Sequence, residues 1–141
     1  MRLELTGRLQ GVGFRPAMAR LATSLALAGE IRNTRAGVEM ILEGPESSLR
    51  QLVEQLRMVA PSHAAIDTLF REEVAACDRK GIEIPAGVEV GPVQTIPPHD
   101  LMMCPDCLND VSSMGNRRQR YPFTSCAYCG PRYSILESLP Y

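Results

Sequence analysis

The sequence has almost no net charge and no long hydrophobic run. Fifteen Lys and Arg stand against sixteen Asp and Glu, for a formal charge of −1, so no strong field draws the whole molecule onto nucleic acid or a membrane. The longest nearly apolar stretch, LATSLALAG from Leu21 to Gly29, is far shorter than the roughly 20 residues that span a bilayer. The opening MRLELTGRLQ alternates instead of forming an apolar block, so no signal peptide is expected. The nucleotide motifs are also missing. Gly11 and Gly13 are not followed by the G-K-[ST] of a P-loop, and the third glycine of a dinucleotide-binding turn is absent. Neither His63 nor His99 lies near that loop in sequence, and neither is assigned a role. What is present is ordinary for one globular domain, or one small domain with an appendage: 141 residues, 45% hydrophobic and 22% charged.

Composition shifts near residue 85. Before it, strand and helix patterns alternate. Leu3 and Leu5 share one face of a strand over residues 2–9. Pro16 to Ala28 predicts a helix with Ala17, Leu21, Leu25 and Ala28 on its apolar face, Pro16 at its first position and Gly29 as its stop. EIRN and GVEMILE predict a hairpin turned at Gly37, with Val38, Met40 and Leu42 alternating inward. Glu46 to Val59 places Leu49, Leu52, Val53, Leu56 and Val59 at spacings of three and four, an amphipathic helix. A strand follows from about Ile66, and GIEI makes a last short one. The βαββαβ order, with one terminal strand, is the split β-α-β, ferredoxin-like α+β fold. The expected organisation is a domain over 1–86, a Pro/Gly-rich linker over 87–100 and a small cysteine-rich module over 101–141.

That module holds Cys104, Cys107, Cys126 and Cys129, two C-x-x-C pairs eighteen residues apart. In a chain with no secretory signal such pairs read as metal ligands, which points to the reducing cytoplasm. Four thiolates close a tetrahedral site, so one structural Zn²⁺ is expected. About forty residues bury little core, so metal binding would supply much of the module's folding energy. Cys77 stands alone and is expected to pack as a small apolar residue. Between the pairs, Arg117, Arg118 and Arg120 lie beside Tyr121 and Phe123. This reads as a nucleic-acid patch, a solvated loop, or a cluster that docks another domain.

The stretch QGVGFRP, Gln10 to Pro16, lies at the strand-to-helix junction. Consecutive N–H groups around Gly11 and Gly13 can form an anion nest, the helix N-terminus adds partial positive charge, and Arg15 adds a planar forked donor. That set suits one phosphoryl group without a metal ion, although an ordinary turn with a surface arginine fits the residues equally well.

GRLQGVGFR resembles the signature of the acylphosphatases, with Leu9 where that family usually has valine, and the βαββαβ order agrees with their fold. The resemblance implies that Gln10, Gly11, Val12, Gly13, Phe14 and Arg15 bind phosphate, with Arg15 as the phosphate-binding arginine. It also implies that Asn33 orients the attacking water. CPDC with RRQRYPFTSCAYCGPRYSIL resembles the first zinc finger of the HypF-type carbamoyltransferases, which help build the cyanide ligands of [NiFe]-hydrogenases. The joint resemblance covers essentially the whole chain. It implies hydrolysis of carbamoyl phosphate or another acyl phosphate as the first step of carbamoyl transfer. The expected partners are downstream catalytic domains that this chain lacks and a hydrogenase maturation protein as carbamoyl acceptor. A zinc-braced docking module without activity, and a zinc-dependent nucleic-acid binder, are the competing readings; no membrane partner is expected.

Overall fold

Alternation at the start of the chain builds the first strand. In the computed structural model, which describes residues 1–87, 102–126 and 129, β1 spans Arg2–Arg8 with Leu3 and Leu5 buried and Glu4 exposed. It is followed by α1 (Phe14–Ser24), β2 (Ala28–Asn33), β3 (Gly37–Glu43), α2 (Glu46–Val59), β4 (Ala65–Glu72), β5 (Ile82–Glu83) and, in the cysteine-rich part, α3 (Pro105–Ser112). The five strands form one sheet in the order β4-β1-β3-β2-β5. Every pairing is antiparallel except that of β5 with β2. This is the expected ferredoxin-like α+β sheet. The 87–100 linker lies outside the described residues, apart from its first residue.

The core forms where the strands' inner face meets the two helices. Leu3 faces Met40, Leu5 faces Val38, and Met40 faces Ile31 across β1, β3 and β2. These side chains join Phe14, Ala17, Met18, Leu21 and Ala22 of α1 and Leu52 and Leu56 of α2 in one buried cluster. Leu52 and Leu56 are fully buried, and such burial is worth about 1.5–3 kcal/mol for each leucine. Gly37 is required where β3 leaves the hairpin, because a Cβ there would run into the Leu5 carbonyl of the adjacent strand.

Three sequence expectations are corrected. The first helix begins at Phe14, not Pro16, and ends at Ser24 rather than Ala28. Pro16 is tolerated in the first turn because N–H groups there have no intrahelical acceptor. The helix stops in a Schellman motif: Ala26 takes φ 54°, its N–H donates to the Thr23 carbonyl at 3.0 Å, and Leu27 N–H donates to Ala22 at 3.0 Å. An alanine in the left-handed position carries no glycine signal, so the helix stops before the expected Gly29. Gly29 instead lies inside β2, opposite Leu42. At the end of α2, Val59 is 41% exposed rather than on the buried face. Ala60 leaves helical geometry at ψ 138° ahead of Pro61, as a residue before proline is pushed to do. Cys77 is exposed rather than packed, in a segment whose Cys77 N–H donates to Glu43 Oε2 at 2.7 Å.

The strained Ala26 gives a direct test. Ala26→Gly should stabilise the domain by up to about 1 kcal/mol, the left-handed penalty less the entropy of a glycine. The readout is a higher urea midpoint at unchanged slope; an unchanged or lower midpoint would refute the capping assignment.

Candidate active site and metal centre

The sheet topology decides which chain ends meet. β1 and β2 both pair antiparallel with β3, so they run in the same direction and leave the sheet at the same end. β1 leads into the loop 9–13, and β2 ends at Asn33. Asn33 is in register with Val38, which also faces Leu5. Asn33 therefore lies on the inner face, the one that packs on the helices, and is fully buried.

In the loop, Gly11 and Gly13 take φ 75° and 76°. Both are left-handed values at which a side chain is disfavoured. Gly13 caps α1, and its carbonyl accepts the Ala17 N–H at 3.2 Å. Val12 and Phe14 are buried in the core. Their side chains anchor the loop from below and leave only their main chain for a ligand. Arg15, in the first turn of the helix, is half-buried. Gln10 is the residue whose placement the motif did not foretell. Its side chain is turned inward, and Nε2 donates to the carbonyls of Thr34 at 2.8 Å and Gly37 at 2.9 Å. Of the six loop residues expected at a phosphate, Val12 and Phe14 place their side chains in the core and Gln10 places its amide against the hairpin. A left-handed glycine pair opening a helix, with an arginine in the first turn, is an arrangement that can receive an oxyanion.

The four paired cysteines come together. Their Sγ atoms all lie within 4.8 Å of one another. The separations are 3.6 Å for Cys104–Cys126, 3.9 Å for Cys126–Cys129 and 3.8 Å for Cys107–Cys129. None is in a disulfide. A regular tetrahedron of sulfurs about 2.3 Å from one ion has edges of about 3.8 Å, so the cluster fits a four-thiolate metal site. Burial, reinforced by the neighbouring sulfurs, pushes the Cys107 thiol up. Burial also pushes on Cys129, but hydrogen bonds from the Cys104 and Cys126 main chain outweigh it and bring that thiol down to about 7.

The sequence reading left out α3, which starts at the first knuckle with Cys104 as its N-cap, Pro105 at its first position and Asp106 in its first turn. Proline followed by an acidic residue was the available signal. Within the arginine stretch, Arg118 pairs with Asp110 at 3.3 Å, and its N–H donates to Asn116 Oδ1 at 2.9 Å. Arg120 N–H donates to the Val111 carbonyl at 3.0 Å, so at least two of the three arginines are tied into the module's own framework. Tyr121 and Phe123 meet edge to face at 6.0 Å.

These features define an acylphosphatase fold joined to a four-cysteine finger. The acylphosphatase family model matches residues 1–83 and the HypF finger model matches residues 103–136; the chain belongs to the acylphosphatase family. The acylphosphatase of Deinococcus radiodurans is 42% identical over 73 residues, covering 49% of this chain and 83% of its own. Along its full length the chain is similar to the N-terminal region of the HypF carbamoyltransferases. It is 43% identical to carbamoyltransferase HypF2 of Cupriavidus necator, over 100% of this chain and 18% of that protein. It superposes with TM-score 0.85 and 34% identity on a crystal structure of full-length HypF in a phosphate- and nucleotide-bound form, over 99% of this chain and 18% of that one. The chain therefore spans just under a fifth of the length of these relatives. Among the described residues, no helix is long and apolar enough to cross a membrane.

The thiol cluster yields a measurable outcome. Cobalt(II) added to the reduced chain should give thiolate charge-transfer and tetrahedral d–d bands, lost in Cys107→Ser. Apparent metal affinity should fall as pH falls, because protons compete for all four thiolates. Bands that survive in Cys107→Ser would remove it from the ligand set.

Proposed function

We propose that the first domain hydrolyses an acyl phosphate, with carbamoyl phosphate as the physiological substrate, as the first step of carbamoyl transfer toward the cyanide ligands of [NiFe]-hydrogenase. One observation carries this reading: the left-handed Gly11–Gly13 turn opens α1 beside Arg15, at the same sheet end as buried Asn33.

An acyl phosphate is a mixed anhydride whose leaving group is already a weak base, so no general acid is needed. Main-chain N–H groups from Gly11 to Arg15, with the Arg15 guanidinium, hold the phosphoryl oxygens as charge redistributes. Asn33 holds a water in line with the bond to be broken. Water oxygen bonds to phosphorus, the phosphorus–oxygen bond to the acyl group breaks, and a phosphate oxygen takes the water's proton. The products are phosphate and a carboxylate or, from carbamoyl phosphate, carbamate. Carbamate would pass to downstream domains of a longer protein and finally to a hydrogenase maturation partner. The finger, holding one structural Zn²⁺ through Cys104, Cys107, Cys126 and Cys129, would brace that larger assembly.

Phosphate release from carbamoyl phosphate and from a simple acyl phosphate tests the reading. Arg15→Ala should lower kcat/KM by about 10²–10³-fold, the cost of removing a donor aimed at the transition state. Arg15→Lys should fail as well, since an ammonium cannot reproduce the fork. Asn33→Ala should lower kcat while leaving inhibition by inorganic phosphate unchanged. Parent-level turnover in Arg15→Ala would refute the cradle, and an intact kcat in Asn33→Ala would refute the water-positioning role.

A further inference from the structure

Gln10 makes two hydrogen bonds for which phosphate binding has no use. Its side chain is 2% exposed, and both amide protons are committed, one to the Thr34 carbonyl at 2.8 Å and one to the Gly37 carbonyl at 2.9 Å. These carbonyls belong to the two residues that close the β2–β3 hairpin, where Thr34 N–H donates to Gly37 O at 2.9 Å and Gly37 N–H to Thr34 O at 3.2 Å. Asn33 is the residue immediately before that closure. A single amide thus ties the start of the Gln10–Arg15 stretch to both sides of the turn that follows Asn33.

We propose that Gln10 is a positioning residue that holds Asn33 in fixed geometry relative to the phosphate cradle. This rests on the hydrolase reading given above. Packing alone does not account for an amide at this point. Its Oε1 is buried and accepts no hydrogen bond, which carries a desolvation cost that an apolar side chain of similar length would avoid. The reverse orientation of the amide would set Oε1 against two carbonyl oxygens, so the donor side must face the hairpin. The loop and the hairpin come from segments more than twenty residues apart in the sequence. The two bonds fix their separation at the sheet end, where displacement of a reacting group by about 1 Å can cost about 10²-fold in rate.

The test is a double-mutant cycle on acyl phosphate hydrolysis by the chain. Gln10→Met keeps length and removes both donors; Gln10→Glu keeps shape and has no N–H, and serves if the methionine variant fails to fold. Either should lower kcat by about 10–100-fold, with inhibition by inorganic phosphate unchanged because the cradle's own donors are untouched. In the Asn33→Ala background the same substitution should have almost no further effect, since the residue it acts through is gone. Losses that multiply in the two backgrounds, or weakened phosphate inhibition with kcat intact, would overturn the positioning role and leave the hydrolase reading standing. No hydrolysis by the parent chain would overturn the hydrolase reading, and this inference with it.

Discussion

Val38 stands opposite Leu5 on one side and Asn33 on the other, and the candidate site depends on that register. It makes β1 and β2 co-directional neighbours of one central strand, so the segment after β1 and the end of β2 emerge together. It also sets which face they emerge on. A slip of one residue between β2 and β3 would turn Asn33 to the outer face, away from α1, while leaving the sheet formally intact. The buried Ile31 opposes that slip, because its side chain would move out of the core to the outer face together with Asn33. Hydrophobic burial and the placing of a polar residue are thus enforced by the same pairing.

The two parts of the chain are held by different physics. The first domain has a continuous apolar core, and on its outer sheet face Glu39, only 4% exposed, is bracketed by the guanidiniums of Arg2 and Arg32. A carboxylate so enclosed adds little net stability, but losing either partner would strand it, so it favours one register over others. Among the described residues the finger has no comparable apolar core. Its buried cluster consists of Cys104, Cys107 and Cys129, with Met103 and Cys126 against it. Four thiolates on one ion would supply cohesion there, because metal binding then becomes folding energy.

What could be read from the sequence followed the strength of each physical signal. Period-two alternation located β1 and β3, and a spacing of three and four located α2 to the residue. The C-x-x-C pairs foretold the one thiol cluster found among the described residues. The misses have local causes. The end of α1 hinged on Ala26 adopting a conformation that composition assigns to glycine. α3 was hidden because eight residues around a knuckle show too little periodicity. The inward turn of Gln10 was not legible, because its acceptors are main-chain carbonyls more than twenty residues away and main-chain acceptors leave no mark in the sequence. The motif marked the loop as a unit; only the fold separates Gln10, bonded beneath it, from the amides above.

That separation bears on specificity. In the proposed reading each group of the cradle, the amides and the Arg15 fork, acts on phosphoryl oxygens, and the role of Asn33 concerns the water. Val12 and Phe14 are spent on the core. A grip of this kind responds to the charge and trigonal shape of a terminal phosphoryl group, and every acyl phosphate presents the same one. On that proposed reading, a preference for a carbamoyl group would arise from whatever surrounds the mouth of the loop, or from a later step that consumes carbamate, and one acylphosphatase fold could serve either as a free enzyme or as the front end of a longer protein without altering its cradle.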